Sequence, residues 1–243
     1  MQGPVFPAES LNLTGRLLRV FYAPQRSFAA LDEDPDWLDW FVPVLIVCLV
    51  GVVSHFLIRD IAFNPEMQAI KDQLQALPEA RRQKSLDDMV QMRERGWMMV
   101  VMGTFSSLVL VSGILFLLAR FLFASQVGYR PMLVVKGYAS LIIAAEWAAR
   151  TALILIRQNP EVHTGLGALV PASMVKSFAG QTLMAVNFFD LWQAVVLGLG
   201  LAVVARVPLK KAVFAVLAMW FFFVMGMGAM GSAILSAGPP QAP

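Results

Sequence analysis

Apolar residues in this chain gather into five long runs: Trp40–Ile58, Trp97–Phe123, Met132–Ile156, Phe188–Ala205 and Ala212–Ile234. Each run holds roughly 18 or more residues, and about 20 are needed to cross a hydrocarbon core of roughly 30 Å. Hydrocarbon offers no partner for a bare N–H or C=O, so runs that cross it are expected to be helices. The pattern therefore predicts an all-α, polytopic integral membrane protein with five transmembrane helices. Trp40, Trp97 and Trp220 suit aromatic anchoring near the membrane interfaces, Trp220 being the deepest in its run.

The polar stretches between the runs also carry structure. In the first 39 residues, Leu11, Leu13, Leu17, Leu18, Phe21 and Tyr22 alternate with Arg16 and Arg19, which predicts a short helix lying on the membrane surface with its arginines toward the headgroups. Pro24 is placed to open a second short helix, Pro24–Leu31. Acidic residues follow at Asp32, Glu33, Asp34, Asp36 and Asp39. The long polar loop Arg59–Gly96 holds seven basic and seven acidic residues. Asn64-Pro65-Glu66 reads as a helix start, and Met67, Ile70, Leu74 and Leu77 recur at helical spacing until Pro78-Glu79 interrupts. Ser85 with Asp88 resembles a capping box for a helix leading into the second run. This loop is thus predicted to be a helical hairpin or bent helix outside the bilayer. Between the third and fourth runs, Pro171–Phe178 is expected to be a short interfacial helix, and the Pro-rich tail 237–243 to be disordered.

Composition agrees with a lipid solvent. Hydrophobic residues make up 58% of the 243 and charged residues 14%, against about 25% charged in a typical soluble domain. Met1–Ser10 lacks a basic region followed by an apolar stretch, so no cleavable signal is expected. The single cysteine, Cys48, lies inside the first run, which excludes a disulfide within one chain, and no zinc spacing exists. The net charge of +3 reads as the Lys/Arg bias of a membrane protein, with no basic stripe for nucleic acid. With the N-terminus inside, Arg16, Arg19, Arg26, Arg120, Arg130, Lys136, Arg206, Lys210 and Lys211 fall on the inner side. Arg157, Lys176 and the loop Arg59–Gly96 fall outside, giving nine basic residues on each side. The tight basic connection Arg206–Lys211 decides for an inside N-terminus and an outside C-terminus.

Several stretches resemble a known family. Arg19-Val20-Phe21, Pro24, Phe28-Ala29-Ala30-Leu31, Pro35 and Trp37 lead straight into the first run. Leu77-Pro78-Glu79 stands between the first two runs. Asn187-Phe188-Phe189-Asp190-Leu191-Trp192, Gly198-Leu199-Gly200, Lys210-Lys211-Ala212 and Trp220 follow in order. Together they resemble the Yip family (Ypt/Rab-interacting proteins) in its bacterial branch, over nearly the whole chain. The resemblance implies an all-helical membrane domain, a cytoplasmic N-terminus and residence in a bacterial cytoplasmic membrane. Eukaryotic relatives act in membrane traffic with small GTPases. The long polar N-terminal region of those relatives is absent here, which argues against a GTPase partner.

Ionisable residues inside the runs are the candidates for chemistry. Lys136, Glu146 and Arg150 fall within roughly an 80° arc of one helix. Charges at mid-bilayer cost about 2.5–3.5 kcal/mol each on insertion scales, so these should face protein or water. Glu146 and Arg150 are spaced to pair on the helix surface, while Lys136 and Arg150 could snorkel to opposite interfaces. The group reads either as a proton or ion relay or headgroup cavity, or as a structural ion pair, and the structural pair is preferred. Asp190 could face the same stripe or sit in a first helical turn capped by Asn187, and capping is preferred. Ala194, Gly198 and Ala202 make a small-residue face for a neighbouring helix, in the same chain by preference. Gly226-Met227-Gly228-Ala229-Met230-Gly231 matches G-x-G-x-x-G but sits in an apolar run, so Gly228 reads as close helix packing rather than dinucleotide binding. His55 and His163 are badly placed for haem ligation, and Ser106, Ser107 and Ser112 are expected to bond within the helices.

No catalytic constellation, cofactor or metal site is expected. The leading reading is a non-enzymatic scaffold or accessory factor working through membrane lipids, other membrane proteins or a second copy of itself. Its contact surfaces would be the N-terminal helix and the loop Arg59–Gly96. The alternative is a small transporter or lipid-moving protein with a polar path lined by Glu146, Arg150 and Asp190.

Overall fold

The computed structural model describes residues 12–31, 35–75, 77–160, 162 and 164–236. Leu11, Asp32, Glu33, Asp34, His163 and the tail from residue 237 lie outside the described residues. Asn12 caps α1 (Leu13–Arg19), its side chain accepting the Gly15 N–H at 2.8 Å. Pro24 opens α2 (Pro24–Ala29), which ends two residues before the expected limit. Arg16 is not turned outward as expected. Val20 and Phe28 are buried, and Arg16 turns inward to an ion pair with Asp39 at 2.9 Å. A carboxylate inside the fold claims the guanidinium, and Ser27 Oγ ties α2 to the Arg16 carbonyl at 2.7 Å. The same Asp39 accepts the Asp36 N–H and closes a capping box on α3 (Trp37–Ala62).

After α4 (Gln68–Gln75) comes α5 (Glu79–Leu117), which begins directly after Pro78. Ser85 is therefore interior and caps nothing. The Pro78 carbonyl accepts both the Arg81 and Arg82 N–H groups, and the Arg82 guanidinium closes the preceding turn on the Leu74 and Leu77 carbonyls. Strong helix formers follow, so nothing stops the helix before the apolar run. A π-helical turn, Leu118–Leu122, finishes it. α6 (Tyr129–Arg157) ends where Gln158 takes a left-handed backbone, φ 49°. Next come a short 3₁₀ turn, Leu166–Leu169, and another, Ala172–Met174, where an interfacial helix was expected; α7 (Phe178–Ala185) starts where that helix was expected to end. α8 (Phe188–Val204) and α9 (Leu209–Ser236) complete the chain.

α6 is the centre of the bundle, packed on α3, α5 and α8, while α9 joins through α8 and α7. Gly137 lies against Trp40, and Gly51 against Trp147, so α3 and α6 run parallel. Gly96 meets His55 and Val100 meets Gly51, so α5 runs antiparallel to them. Gln193 reaches the Ala139 carbonyl and Asn187 reaches Glu146, so α8 is antiparallel to α6. α9 returns beside α8. Thus α3, α6 and α9 run one way, α5 and α8 the other. Met132, Val135, Tyr138, Ala139 and Ile142 of α6 form the core with Val47, Leu197 and Leu201.

Four helices are long and apolar enough to cross a membrane: α3, α5 with its π turn, α6 and α9. Their outward faces stay apolar, with Leu49, Met102, Leu110, Phe214 and Phe222 all exposed. A surface of that kind is covered by lipid, and the chain is an integral membrane protein. The fourth run departs from expectation. α8 has 17 residues, roughly 25 Å of helix, short of a core of roughly 30 Å.

Candidate functional site

The short α8 is continued by α7 after a break. Gly198 on α8 faces Val213, while Thr182 and Gln181 on α7 face Gly228 and Gly231, all on α9. One antiparallel register therefore runs through both helices, and it sets the break at Val186-Asn187 near Val224, about halfway along α9. The cause is local. Asn187 takes an extended backbone and caps α8, its side chain accepting the Phe189 N–H at 3.0 Å.

A broken helix leaves backbone groups to satisfy, and the segment after α6 supplies them. It turns back along the bundle, so that the Leu166 N–H donates to the Val186 carbonyl at 3.0 Å and Gly165 forms an isolated antiparallel bridge with Asn187. A Cβ at Gly165 would overlap the Val186 carbonyl, so only glycine lets the two backbones meet. At membrane depth such irregular backbone is tolerated only where protein or a polar cavity surrounds it.

Two acidic side chains stand at this break, and a buried lysine lies farther along α6. Glu146 of α6 is buried, and its Oε1 accepts both the Asn187 amide and, at 3.2 Å, the Thr164 hydroxyl. Asp190 stands in the first turn of α8, half-buried, within electrostatic reach of both Glu146 and Lys136. Lys136 is only 5% exposed and within electrostatic reach of Asp190, yet the two form no direct ion pair. Ser140 and Gln193 line the same interface with their donors already given to the Lys136 and Ala139 carbonyls. The expected pairing of Glu146 with Arg150 does not form. α7 packs on α9 rather than on α6, and Arg150 is exposed, whereas Thr151 and Ile154 beyond it are buried. Sequence reasoning found Lys136, Glu146 and Asp190 but missed Thr164 and Gln193. Gln193 follows Asp190 by three residues and shares its face, which is the one signal that could have found it.

A family model, the Yip1 domain, matches residues 18–230. The chain belongs to the Yip family. No curated protein and no solved structure matches it. In this Yip-family chain several of the stretches that carried the resemblance are packed inside the bundle. Asn187-Phe188-Phe189-Asp190 makes the α8 start. Phe28 packs edge-on to Tyr138 at 6.4 Å and fills the space beside Gly200. Ala194, Gly198 and Ala202 are buried, and Gly198 meets α9 of the same chain. Within the glycine-rich hexapeptide, Gly228 and Gly231 face α7, whereas Gly226 has nothing within 4 Å. Ser112 donates across to the Met132 carbonyl of α6 rather than within its own helix. His55 is buried against α5 and bonds the Arg93 carbonyl. Among the described residues no cluster of metal-ligating side chains occurs.

Proposed function

We propose that this Yip-family protein crosses the membrane five times, with α7 and α8 together as the fourth crossing, and that it binds and passes a polar ligand at the break between them. Discontinuous helices meeting buried ionisable residues near the midplane are the recurrent way membrane proteins build such sites. The observation that carries the reading is Lys136, a buried residue with no hydrogen bond from its side chain to another described residue, within electrostatic reach of Asp190. A purely structural charge is ordinarily closed by direct partners. The protein acts without catalysis. Its polar path is lined by Lys136, Glu146 and Asp190, and Arg150 stands outside it. The bundle end carrying Arg26, Arg120, Arg130, Arg206, Lys210 and Lys211 faces the cytoplasm of a bacterial cell, and the C-terminus lies outside.

One observation favours a scaffold as the second reading. The 39 residues of α5 make roughly 58 Å of helix, far longer than the membrane core. Its charged first half projects beyond the bundle with α4 against it, a surface open to protein partners. The N-terminal helices are less suited to that role, because Arg16, Val20 and Phe28 are spent on the bundle. Native mass spectrometry of protein released from its own membranes separates the two readings. Ligand binding requires a retained non-protein mass that disappears in a Lys136→Met/Asp190→Asn double variant. A stoichiometric protein partner, with no such mass, would replace this reading by the scaffold.

A further inference from the structure

α3 and α6 pack side by side, yet toward their C-terminal ends an apolar groove of about 430 Å³ lies between them. Leu49, Val53 and Leu57 of α3 wall one side, and Ala148, Ala152 and Leu155 of α6 the other. That volume is in the range of small-ligand sites, roughly 300–1,000 Å³. Leu49, Val53 and Leu57 are all exposed, so the groove opens sideways, toward hydrocarbon rather than water.

Two hydroxyl side chains line it as well. Ser54 and Thr151 are only 9% and 6% exposed. Gly51 meets Trp147 on these parallel helices, which sets Ser54 and Thr151 within about one residue, ~1.5 Å, of the same height. Neither hydroxyl makes a hydrogen bond with another described residue. Elsewhere in the bundle Thr104, Ser140 and Thr182 close theirs on the carbonyl four residues earlier, the usual resort of a hydroxyl inside a helix. A buried hydroxyl without a partner is costly. Two of them at one height in a groove suit a ligand with a matching polar group.

The rest of the groove limits what that ligand is. Among the described residues no charged side chain lines it. Glu146 and Arg150 lie roughly 160° around α6 from Ala148, which also separates the groove from the helix break. Ser54 and Thr151 stand four and five residues inside the ends of their apolar runs, Ile58 and Ile156, or roughly 6 and 7.5 Å below the hydrocarbon boundary. A phosphate or an ammonium at that depth would lose its water with no counter-charge to replace it. A plain hydrocarbon chain would leave both hydroxyls unmet. A carbonyl oxygen has two lone pairs and accepts from both.

We propose that the α3–α6 groove binds a neutral acylglycerol. One ester carbonyl accepts from Ser54 and Thr151, and its chain runs from there toward the bilayer centre along Val53, Leu49 and Ala148. A phospholipid is the wrong occupant, because its phosphate, a few bonds from the ester, would follow the carbonyl below the boundary. The free hydroxyl of a diacylglycerol carries no such charge.

The full chain, purified in an uncharged maltoside detergent and offered lipid from mixed micelles, tests this by native mass spectrometry. The three probes are dioleoylglycerol, its dioleyl diether analogue, which has no carbonyl, and dioleoylphosphatidylglycerol. Dioleoylglycerol should be retained about fivefold or more over either of the others. Thr151→Val keeps the shape and removes the hydroxyl; combined with Ser54→Ala it should cut retention about tenfold. Ala152→Leu, which fills the groove from an exposed position, should do the same. Ser106→Ala, at an exposed hydroxyl on α5 outside the groove, should change nothing. The three-probe comparison on the unaltered chain decides the matter even where a variant fails to fold. Equal retention of the diether would mean that no carbonyl is recognised, and equal retention of phosphatidylglycerol that charge is no bar; either overturns the proposal. So would retention of no probe, or a dimer that Ala152→Leu breaks, which would give the groove to a second copy of the chain.

Discussion

The side-chain amide of Asn187, at the start of α8, donates to the carboxylate of Glu146 in the middle of α6. The same residue caps α8 through Phe189, so a helix break and a buried acid are held by one side chain. Asn187→Ala should then remove a cap worth about 1 kcal/mol and strip a buried carboxylate of a donor, for a total near ~3 kcal/mol. Glu146→Gln should cost less, because a carbonyl still accepts from Thr164. Thermal midpoints in detergent, with hydrogen exchange read over residues 186–191, would check both. An Asn187→Ala protein as stable as the parent would mean that the contact holds nothing together.

Arg16 and Asp39 join the N-terminal helices to the bundle at 2.9 Å, with their side chains 15% and 10% exposed. Removing one partner of a pair so enclosed costs about 3 kcal/mol, because the other charge is left behind. Arg16→Ala should release α1 and α2 and expose residues 12–31 to protease while the α3–α9 bundle keeps its melting point. Joint replacement by Arg16→Met and Asp39→Leu should restore protection. Protease resistance unchanged in the single variant would show that Val20 and Phe28 suffice to dock the cap.

The helical bundle was legible in the sequence because apolar runs of spanning length have one physical solution in lipid. The helix break was not legible. Phe178–Val204 carries no proline, and the one signal is Asn187, a residue that caps helices but also occurs within them. What breaks the helix is tertiary: Gly165 comes alongside Asn187 from a segment more than twenty positions earlier. The same non-local cause explains Arg16, whose inward turn depends on Asp39 across the fold, and Arg150, whose ideal helical angle is shared with Glu146 but whose cover is missing because α7 leans to α9. Lys136, Glu146 and Asp190 were found because any ionisable residue in a spanning run stands out on cost alone.

Close helix contacts give a prediction with an internal control. A Cβ at Gly198 would lie 2.7 Å from the Cα of Val213, which is backbone and cannot swing aside. Gly198→Leu should therefore separate α8 from α9 and lower the midpoint strongly, by the equivalent of about 3 kcal/mol of overpacking. Gly226→Ala, in the glycine-rich stretch of α9 but with open space around it, should be neutral or gain up to about 1 kcal/mol from helix propensity. Equal effects of the two substitutions would contradict the packing of α8 on α9.

The polar break itself is tested by stability in the opposite direction. A cluster kept for structure loses stability when it is neutralised, whereas a cluster kept for a ligand is held at a cost to the fold. Lys136→Met with Asp190→Asn removes one charge of each sign and preserves approximate volume at both positions. Replacing buried opposite charges together by well-packed groups of similar volume is often neutral or stabilising, by about 1–4 kcal/mol. Lys136 and Asp190 form no direct ion pair although each acts on the other. The double variant should therefore melt at or above the parent, measured without added ligand and with the same detergent and salt. Lys136→Met alone should fall below the double variant, since it leaves Asp190 with the like charge of Glu146 and without the cation that acts on it. A double variant that melts as low as Asn187→Ala would assign the three charges to holding α6 against α8, and the case for a ligand at the break would lose its main support.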